Sequence, residues 1–390
     1  MARIYSRIIL LALIAVMTGL SSLGETAAYA QEMCWNSDAL VGARGEGRIR
    51  KSIRKAFVAL PEGVPSYGPP VSADARRVIR RVKLPDGQKL VALTFDLCEQ
   101  PNEVAGYQAD IVEFLRKKKI RATFFIGGKW MLTHRLRAEQ LMTDDLFEIG
   151  NHSWGHRNLR LLSGRKLAEE IDGAALAYQQ VRGDLVSSQC VVPGATKSVS
   201  ELAPPGMGLF RFPYGACDRE ALHALWRRGL AAVQWDVSSG DPWPGIKPDR
   251  MARSVVRRVK PGSIVLFHAN GRGYGTGKAL PRIVRDLREQ GYQFVTVSEL
   301  LAAGTPEYSA VKHGCYDARP GDTIKYDKFA ARLERWYGRS QRRVLGKKPL
   351  PPAVRRRAAD SSVAAPPNSG VDANSLEADA GIEPGFGAGD

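Results

Sequence analysis

Beyond its first thirty positions the 390-residue sequence has no apolar run long enough to cross a bilayer, which excludes an integral helical membrane protein. Cysteine is scarce: five residues, Cys34, Cys98, Cys190, Cys217 and Cys315, too few for a disulfide scaffold to replace a hydrophobic core. With an odd number, one thiol stays unpaired within the chain. Acidic residues fall well short of basic ones, 40 against 57, leaving a net charge of +17. The excess is local. Arg and Lys crowd Lys325 to Arg357, whereas Ala358 to Asp390 holds neither. A basic stretch of this kind reads as a solvated face, or as one that touches anionic envelope surfaces, rather than as a nucleic-acid interface.

What is present begins with an export pattern. Arg3 and Arg7 precede an apolar run from Ile8 to about Gly19, and Ala28-Tyr29-Ala30 forms an A-x-A ending, so cleavage is expected before Gln31. This predicts an exported protein, periplasmic or secreted. A hydrophobic content of 44% then allows one large domain with appendages. Residues 31–85 read as an irregular N-terminal arm with some helix, 86–304 as the main domain, 305–345 as a small helical extension, and 346–390 as a disordered tail rich in Pro, Ala, Gly and Ser. In the extension, Phe329, Leu333 and Trp336 lie at helical spacing, a stripe better suited to packing than to binding.

Within 86–304, strand-like runs alternate with helical ones. Lys89–Phe95, Ala122–Ile126, Phe147–Gly150, Phe210–Phe212, Ala231–Trp235, Ser263–Phe267 and Phe294–Val297 are the strand candidates, the last leading to a short helix capped by Ser298. The alternation predicts βα units around a parallel sheet. Polar motifs fall at the C-terminal ends of these strands: Asp96, His152, Arg211, Asp236 or Asp241, and His268. In a (β/α) barrel that is where chemistry collects. His152 and His156, four apart, converge on one metal ion if the segment turns like a helix. Cys98, two residues after Asp96, lies beside the site or is tied to a distant cysteine. Asp96 and the two histidines point to water activation rather than to Cys98 as nucleophile. Trp154 and Trp243 can stack on sugar rings or pack in the core.

Five motifs occur in the order of the polysaccharide deacetylase family, the NodB homology domain, which the segment 86–305 resembles. Thr94-Phe95-Asp96 is similar to T-F-D-D-G and His152–His156 to H-[ST]-x-x-H. Arg211–Gly215 resembles R-x-P-Y, Asp236 through Trp243 resembles D-x-x-D-W with a proline inserted, and Leu266-Phe267-His268 resembles L-x-H. The resemblance implies a distorted (β/α) barrel that removes N-acetyl groups from an N-acetylated polysaccharide or oligosaccharide with a divalent metal, often zinc. It assigns the metal to His152 and His156, the general base to Asp96, its orientation to Arg211, an oxyanion donor to the backbone N–H of Tyr214, and the general acid to His268 held by Asp241. Trp243 joins the substrate-binding residues. One position departs: Leu97 stands where the family has its second aspartate, normally the third metal ligand. Asp96 itself, Glu99, or water alone then completes the metal site. Two other functions share the fold: a catalytically dead glycan-binding relative, to which Leu97 lends support, and an O-acetyl esterase.

Overall fold

A computed structural model describes residues 32–51, 58–71, 76–309, 324 and 327–336. The expected signal segment 1–30, Cys315 and the tail 346–390 lie outside them.

The strands, in chain order, are β1 (Arg50–Lys51), β2 (Ile79–Lys83), β3 (Leu90–Leu97), β4 (Glu103–Val104), β5 (Ala122–Ile126), β6 (Phe147–Asn151), β7 (Leu209–Phe210), β8 (Ala231–Ala232), β9 (Val237–Ser238), β10 (Ile264–His268), β11 (Gln293–Phe294) and β12 (Thr305–Tyr308). Eight of them form one sheet in the order β8-β7-β6-β5-β3-β10-β9, with β11 beside the start of β3. Every pairing in that sheet is parallel. Helices connect the strands, and the whole is a distorted (β/α) barrel. Near its open side, β2 forms isolated bridges to Val233 and Ser263, and its own strand partner is β12, antiparallel.

Alternation along the central strands decides what each side chain can do. On β3, Val91, Leu93, Phe95 and Leu97 join the large cluster under the helices, with Phe267 and Val265 of β10 and Phe124 of β5. The intervening Ala92 joins Leu266, Ile264 and Phe125 in the other cluster, inside the barrel. Phe95 stacks between Phe124 and Phe267 at 5.3 and 5.4 Å, so three neighbouring strands share one aromatic layer. Thr94, Asp96 and His268 therefore project inward, and the parallel register sets His268 directly opposite Asp96.

Several expectations change in detail. The run Ala231–Trp235 is not one strand: β8 ends at Ala232, and Arg80 donates to the Trp235 carbonyl at 3.0 Å before β9 begins. Of the expected Phe210–Phe212 strand only Phe210 is ladder-paired, β7 being Leu209–Phe210, although Arg211 N–H still reaches the Asn151 carbonyl at 2.9 Å. The helix Val297–Ala302 is capped by Thr296, not Ser298, in a reciprocal capping box with Glu299. The N-terminal arm contributes β2, whose Val82 is fully buried, and the segment after 304 opens with β12. Cys34 and Cys190 are joined as a disulfide that ties the arm to the end of the long helix Gly164–Ser187, Cys217 is also disulfide-bonded, and Cys98 is the free cysteine among the described residues.

Candidate active site

The loop after β6 does not turn like a helix. Ser153 and His156 both take left-handed backbone conformations, with φ of 64° and 54°, which are costly for residues with a Cβ. Local hydrogen bonds hold them there. Asn151 Oδ1 accepts from Ser153 N–H at 2.9 Å, Ser153 Oγ accepts from His156 N–H at 3.1 Å, and the Glu170 carboxylate accepts from Gly155 N–H at 2.9 Å. The result folds His156 back over His152, ring centroids 5.0 Å apart. Trp154 is half-buried and packs against Gly128 and Gly173, where an added Cβ would meet its ring at 2.7 and 3.4 Å, so one side of this tryptophan is taken up by the core.

His152 Nδ1–H donates to the Arg211 carbonyl at 2.8 Å, which fixes the tautomer and leaves the Nε2 lone pair free. Nε2 of His152 and Nδ1 of His156 are both buried without a hydrogen-bond partner among the described residues. Burial lowers the pKa of both rings, though the Asp96 carboxylate opposes this at His152, so both are neutral and ligand-competent at neutral pH.

The third member of this cluster is Cys98. Ligand atoms of Cys98, His152 and His156 all lie within 4.8 Å of one another. Asn270 holds Cys98 from behind, its Nδ2 donating to the Cys98 carbonyl at 2.9 Å and lying 3.2 Å from Sγ. Burial pushes the thiol pKa upward, while Arg272 pulls it down. A thiolate and two imidazoles form a donor set suited to a divalent metal such as zinc, and orphaned buried nitrogens are what such a set looks like without its ion.

Glu99 is turned away from this cluster. Its Oε1 accepts from Ala105 N–H at 2.9 Å and from Thr133 Oγ1 at 2.8 Å, and Oε2 lies 3.4 Å from Lys129 Nζ. Parity explains it: Cys98 follows Asp96 by two positions and shares its side of the strand, whereas Leu97 and Glu99 fall on the other. Leu97 is fully buried in the core beneath the helices.

Asp96 stays beside the histidines. Its Oδ1 accepts from Arg211 Nη1 at 2.9 Å, and its Oδ2 lies 3.4 Å from His152 Nε2. Arg211 is fully buried. It also donates to Thr94 Oγ1 at 2.7 Å and to the Val233 and Gln234 carbonyls at 3.3 and 3.1 Å, with the Phe125 ring 4.0 Å from its guanidinium carbon. Each guanidinium nitrogen is thus engaged, which is how an arginine survives inside a barrel.

On the strand next to Asp96, His268 Nδ1–H donates to Asp241 Oδ1 at 2.9 Å. Asp241 Oδ2 accepts from His268 N–H at 2.7 Å and from Thr276 Oγ1 at 2.8 Å. Burial opposes charge on His268, but Asp241 outweighs it and the pKa is raised. Asp236 is instead structural, accepting from Ser263 Oγ and Ile264 N–H. Tyr214 sits in the turn Pro213–Gly215 with φ of 61°, its ring 4.6 Å from that of His156. Trp243 is 58% exposed on the loop after Asp241. Arg272, paired with Glu103 at 2.8 Å, is a further cation near the cluster. Of the two places the sequence leaves open for Cys98, beside the site or tied to a distant cysteine, the structure takes the first; Asn270 and Arg272 belong to no motif.

A sequence profile of polysaccharide deacetylases matches residues 83–233. The chain is 30% identical over 223 residues to a peptidoglycan-N-acetylglucosamine deacetylase of Bacillus cereus, covering 56% of this chain and 91% of that protein. This chain belongs to the polysaccharide deacetylase family. It is a hydrolase of that class. The family also includes the peptidoglycan-N-acetylmuramic acid deacetylase PdaC of Bacillus subtilis, 30% identical over 213 residues, 55% of this chain and 39% of that one. Among solved structures, a family pseudoenzyme from Bacillus anthracis is 26% identical, with a TM-score of 0.45 over 57% of this chain and 68% of its own. The residues singled out in the sequence, Asp96, His152, His156, Arg211, Asp241 and His268, converge here, with Cys98 beside the two histidines and Leu97 in the core.

Proposed function

We propose that this polysaccharide deacetylase removes N-acetyl groups from an N-acetylated cell-envelope glycan outside the cytoplasm, releasing acetate. The observation that carries the reading is the pair of machineries on neighbouring strands, Asp96 on Arg211 and, directly opposite it in the register, His268 on Asp241, with His152 3.4 Å from Asp96 and clustered with Cys98 and His156. A peptidoglycan strand rich in N-acetylglucosamine is the substrate class that its relatives favour.

Cys98, His152 and His156 would hold a divalent metal, zinc being the ion best matched by one thiolate and two imidazoles. When bound, that ion supplies polarisation of the acetyl carbonyl and acidifies water. The residues do the rest. Asp96, kept beside Arg211, accepts the proton of the attacking water. The Tyr214 amide, set by a strained left-handed turn, is offered as the hydrogen-bond donor to the tetrahedral oxyanion. His268 enters as the imidazolium, because Asp241 raises its pKa, and gives its Nε2 proton to the departing amine. Trp243, exposed near Asp241, is suited to stacking on a neighbouring sugar.

The test is acetate release from N-acetylglucosamine oligomers by the protein beginning at Gln31, with and without a chelator. Chelator-sensitive release is expected, restored by zinc or cobalt. No release with either metal would refute the deacetylase reading. Release only from O-acetylated substrates would make the protein an esterase. Cobalt loading adds a direct readout, since coordination by Cys98 creates a thiolate-to-cobalt charge-transfer band that Cys98→Ser abolishes.

A further inference from the structure

The helix over residues 327–336 docks on the loop that immediately follows His156. Arg157 Nε donates to Glu334 Oε1 at 2.6 Å, and a second guanidinium nitrogen pairs with Glu334 Oε2. Asn158 Nδ2 donates to Asp327 Oδ1 at 2.7 Å, and Arg160 lies 3.3 Å from Asp327 Oδ2. Asn158 is buried, as is Ala330 on the helix, so the contact excludes water at its centre while its ends are fixed by charge. Arg157 is largely desolvated. Its pairing with Glu334 is therefore worth more than an exposed ion pair: burial pulls the Arg157 pKa down, and the carboxylates around it outweigh that and leave it raised.

This docking has a consequence at the mouth of the barrel. Phe329, in the first turn of the helix, lies edge-on to Tyr214 at 6.4 Å between centroids. Tyr214 in turn is 4.6 Å from His156, and His156 is 5.0 Å from His152. The four rings make a ladder from the buried metal-binding histidine to the surface, and its last rung is 44% exposed. The sequence pattern read Phe329 as packing with Leu333 and Trp336, but a packing residue is not left with nearly half its surface in water. Leu333 and Trp336 are partly buried, and Phe329 is the residue of the stripe that is exposed. An apolar ring held rigidly beside a site for a polar, ring-shaped substrate is suited to stack on the apolar C–H face of a pyranose.

We propose that Phe329 is a specificity-determining sugar platform, contacting the residue of an oligosaccharide next to the one being deacetylated. The helix over 327–336 thereby forms one wall of the substrate groove. The inference rests on the deacetylase reading for its substrate class.

The experiment compares wild type, Phe329→Ala and Phe329→Trp, all zinc-loaded, on a tetramer of N-acetylglucosamine. It measures both turnover and binding by titration calorimetry. Loss of one ring–sugar contact is expected to raise KM and the tetramer's Kd roughly three- to tenfold in Phe329→Ala, with kcat held within about twofold, and Phe329→Trp restores both. Unchanged KM and Kd in Phe329→Ala would overturn the platform while leaving the deacetylase reading intact. A fall in kcat with loss of bound zinc would also overturn it, showing that Phe329 only props Tyr214 and His156. If the wild type binds the tetramer without releasing acetate and Phe329→Ala weakens that binding, the platform stands and the deacetylase reading fails.

Discussion

Removing the Glu99 carboxylate should damage stability and spare metal binding. Glu99 is fully buried, and three groups depend on it: the Ala105 amide, the Thr133 hydroxyl and the Lys129 ammonium. Truncating one partner of a buried ion pair costs about 3–5 kcal/mol, because the surviving charge is stranded. Lys129 keeps the Gln100 and Glu103 carbonyls as acceptors, at 2.8 and 2.6 Å, which moves its share toward the lower end. The unpaired Ala105 donor adds about 1 kcal/mol or more, while the Thr133 hydroxyl falls back on the Lys129 and Trp130 carbonyls, both at 3.2 Å. Glu99→Ala is thus expected to lower Tm on the order of 10 °C, given about 2–4 °C per kcal/mol for domains of a few hundred residues. Glu99→Gln should cost less. Both accepted bonds end on Oε1, which glutamine retains, and only the side facing Lys129 changes from acceptor to donor.

The pH dependence separates the same explanations. Burial, opposed by Lys129, pushes the Glu99 pKa from 4.5 up to about 7. Because the folded pKa is the higher one, its contribution is fully present below pH 4.5 and is lost as pH rises through about 7. Relative to Glu99→Gln, wild type should therefore lose stability across that window. Calorimetric unfolding between pH 4 and 8, with zinc affinity measured by competition against a chromophoric chelator, checks both halves. A variant that keeps its Tm but loses zinc would refute the reasoning and return Glu99 to the role of ligand.

Asp241→Asn keeps the size of the side chain but turns one of its two accepting oxygens into a donor and removes the charge that raises the His268 pKa. The alkaline limb of kcat should move to lower pH by about one unit or more, each unit being 1.36 kcal/mol, and an unmoved limb would exclude His268 as the acid. Cys98→Ser should release zinc at chelator concentrations that wild type withstands, while zinc should protect the wild-type thiol from alkylation; equal retention would remove Cys98 from the metal site. Export with cleavage after Ala30 predicts a mature N-terminus at Gln31, read by intact mass from an expressing cell's envelope fraction, and an uncleaved chain there would contradict it.

Most of the residues that converge at the candidate site could be picked out in the sequence because they sit at strand ends. Runs such as Leu90–Phe95 and Ile264–Phe267 announce themselves by β-propensity, and a motif that follows such a run inherits its place at one end of the barrel. Asp96, His152, His156, Arg211, Asp241 and His268 could be found this way without coordinates. The alternation that separates Cys98 from Glu99 was also in the sequence, since Cys98 shares the parity of Asp96 and Glu99 does not. Choosing by ligand type rather than by strand face led to the carboxylate.

Other features were decided only when distant segments met. Whether Glu99 binds a metal or a lysine depends on Lys129 and Thr133, which arrive from the helix Gly128–Thr133. Whether His152 and His156 converge depends on left-handed turns that Glu170 holds from 15 residues away. Asn270 reaches Cys98 across 172 positions, and Glu334 reaches Arg157 across 177. Local propensity and periodicity act over a few residues, so a single chain can specify its strands, its helices and the faces they present. Partnership across the barrel has no local signature. It follows from close packing, where a buried donor or charge must find its match among whichever residues the fold brings within 3 Å or so.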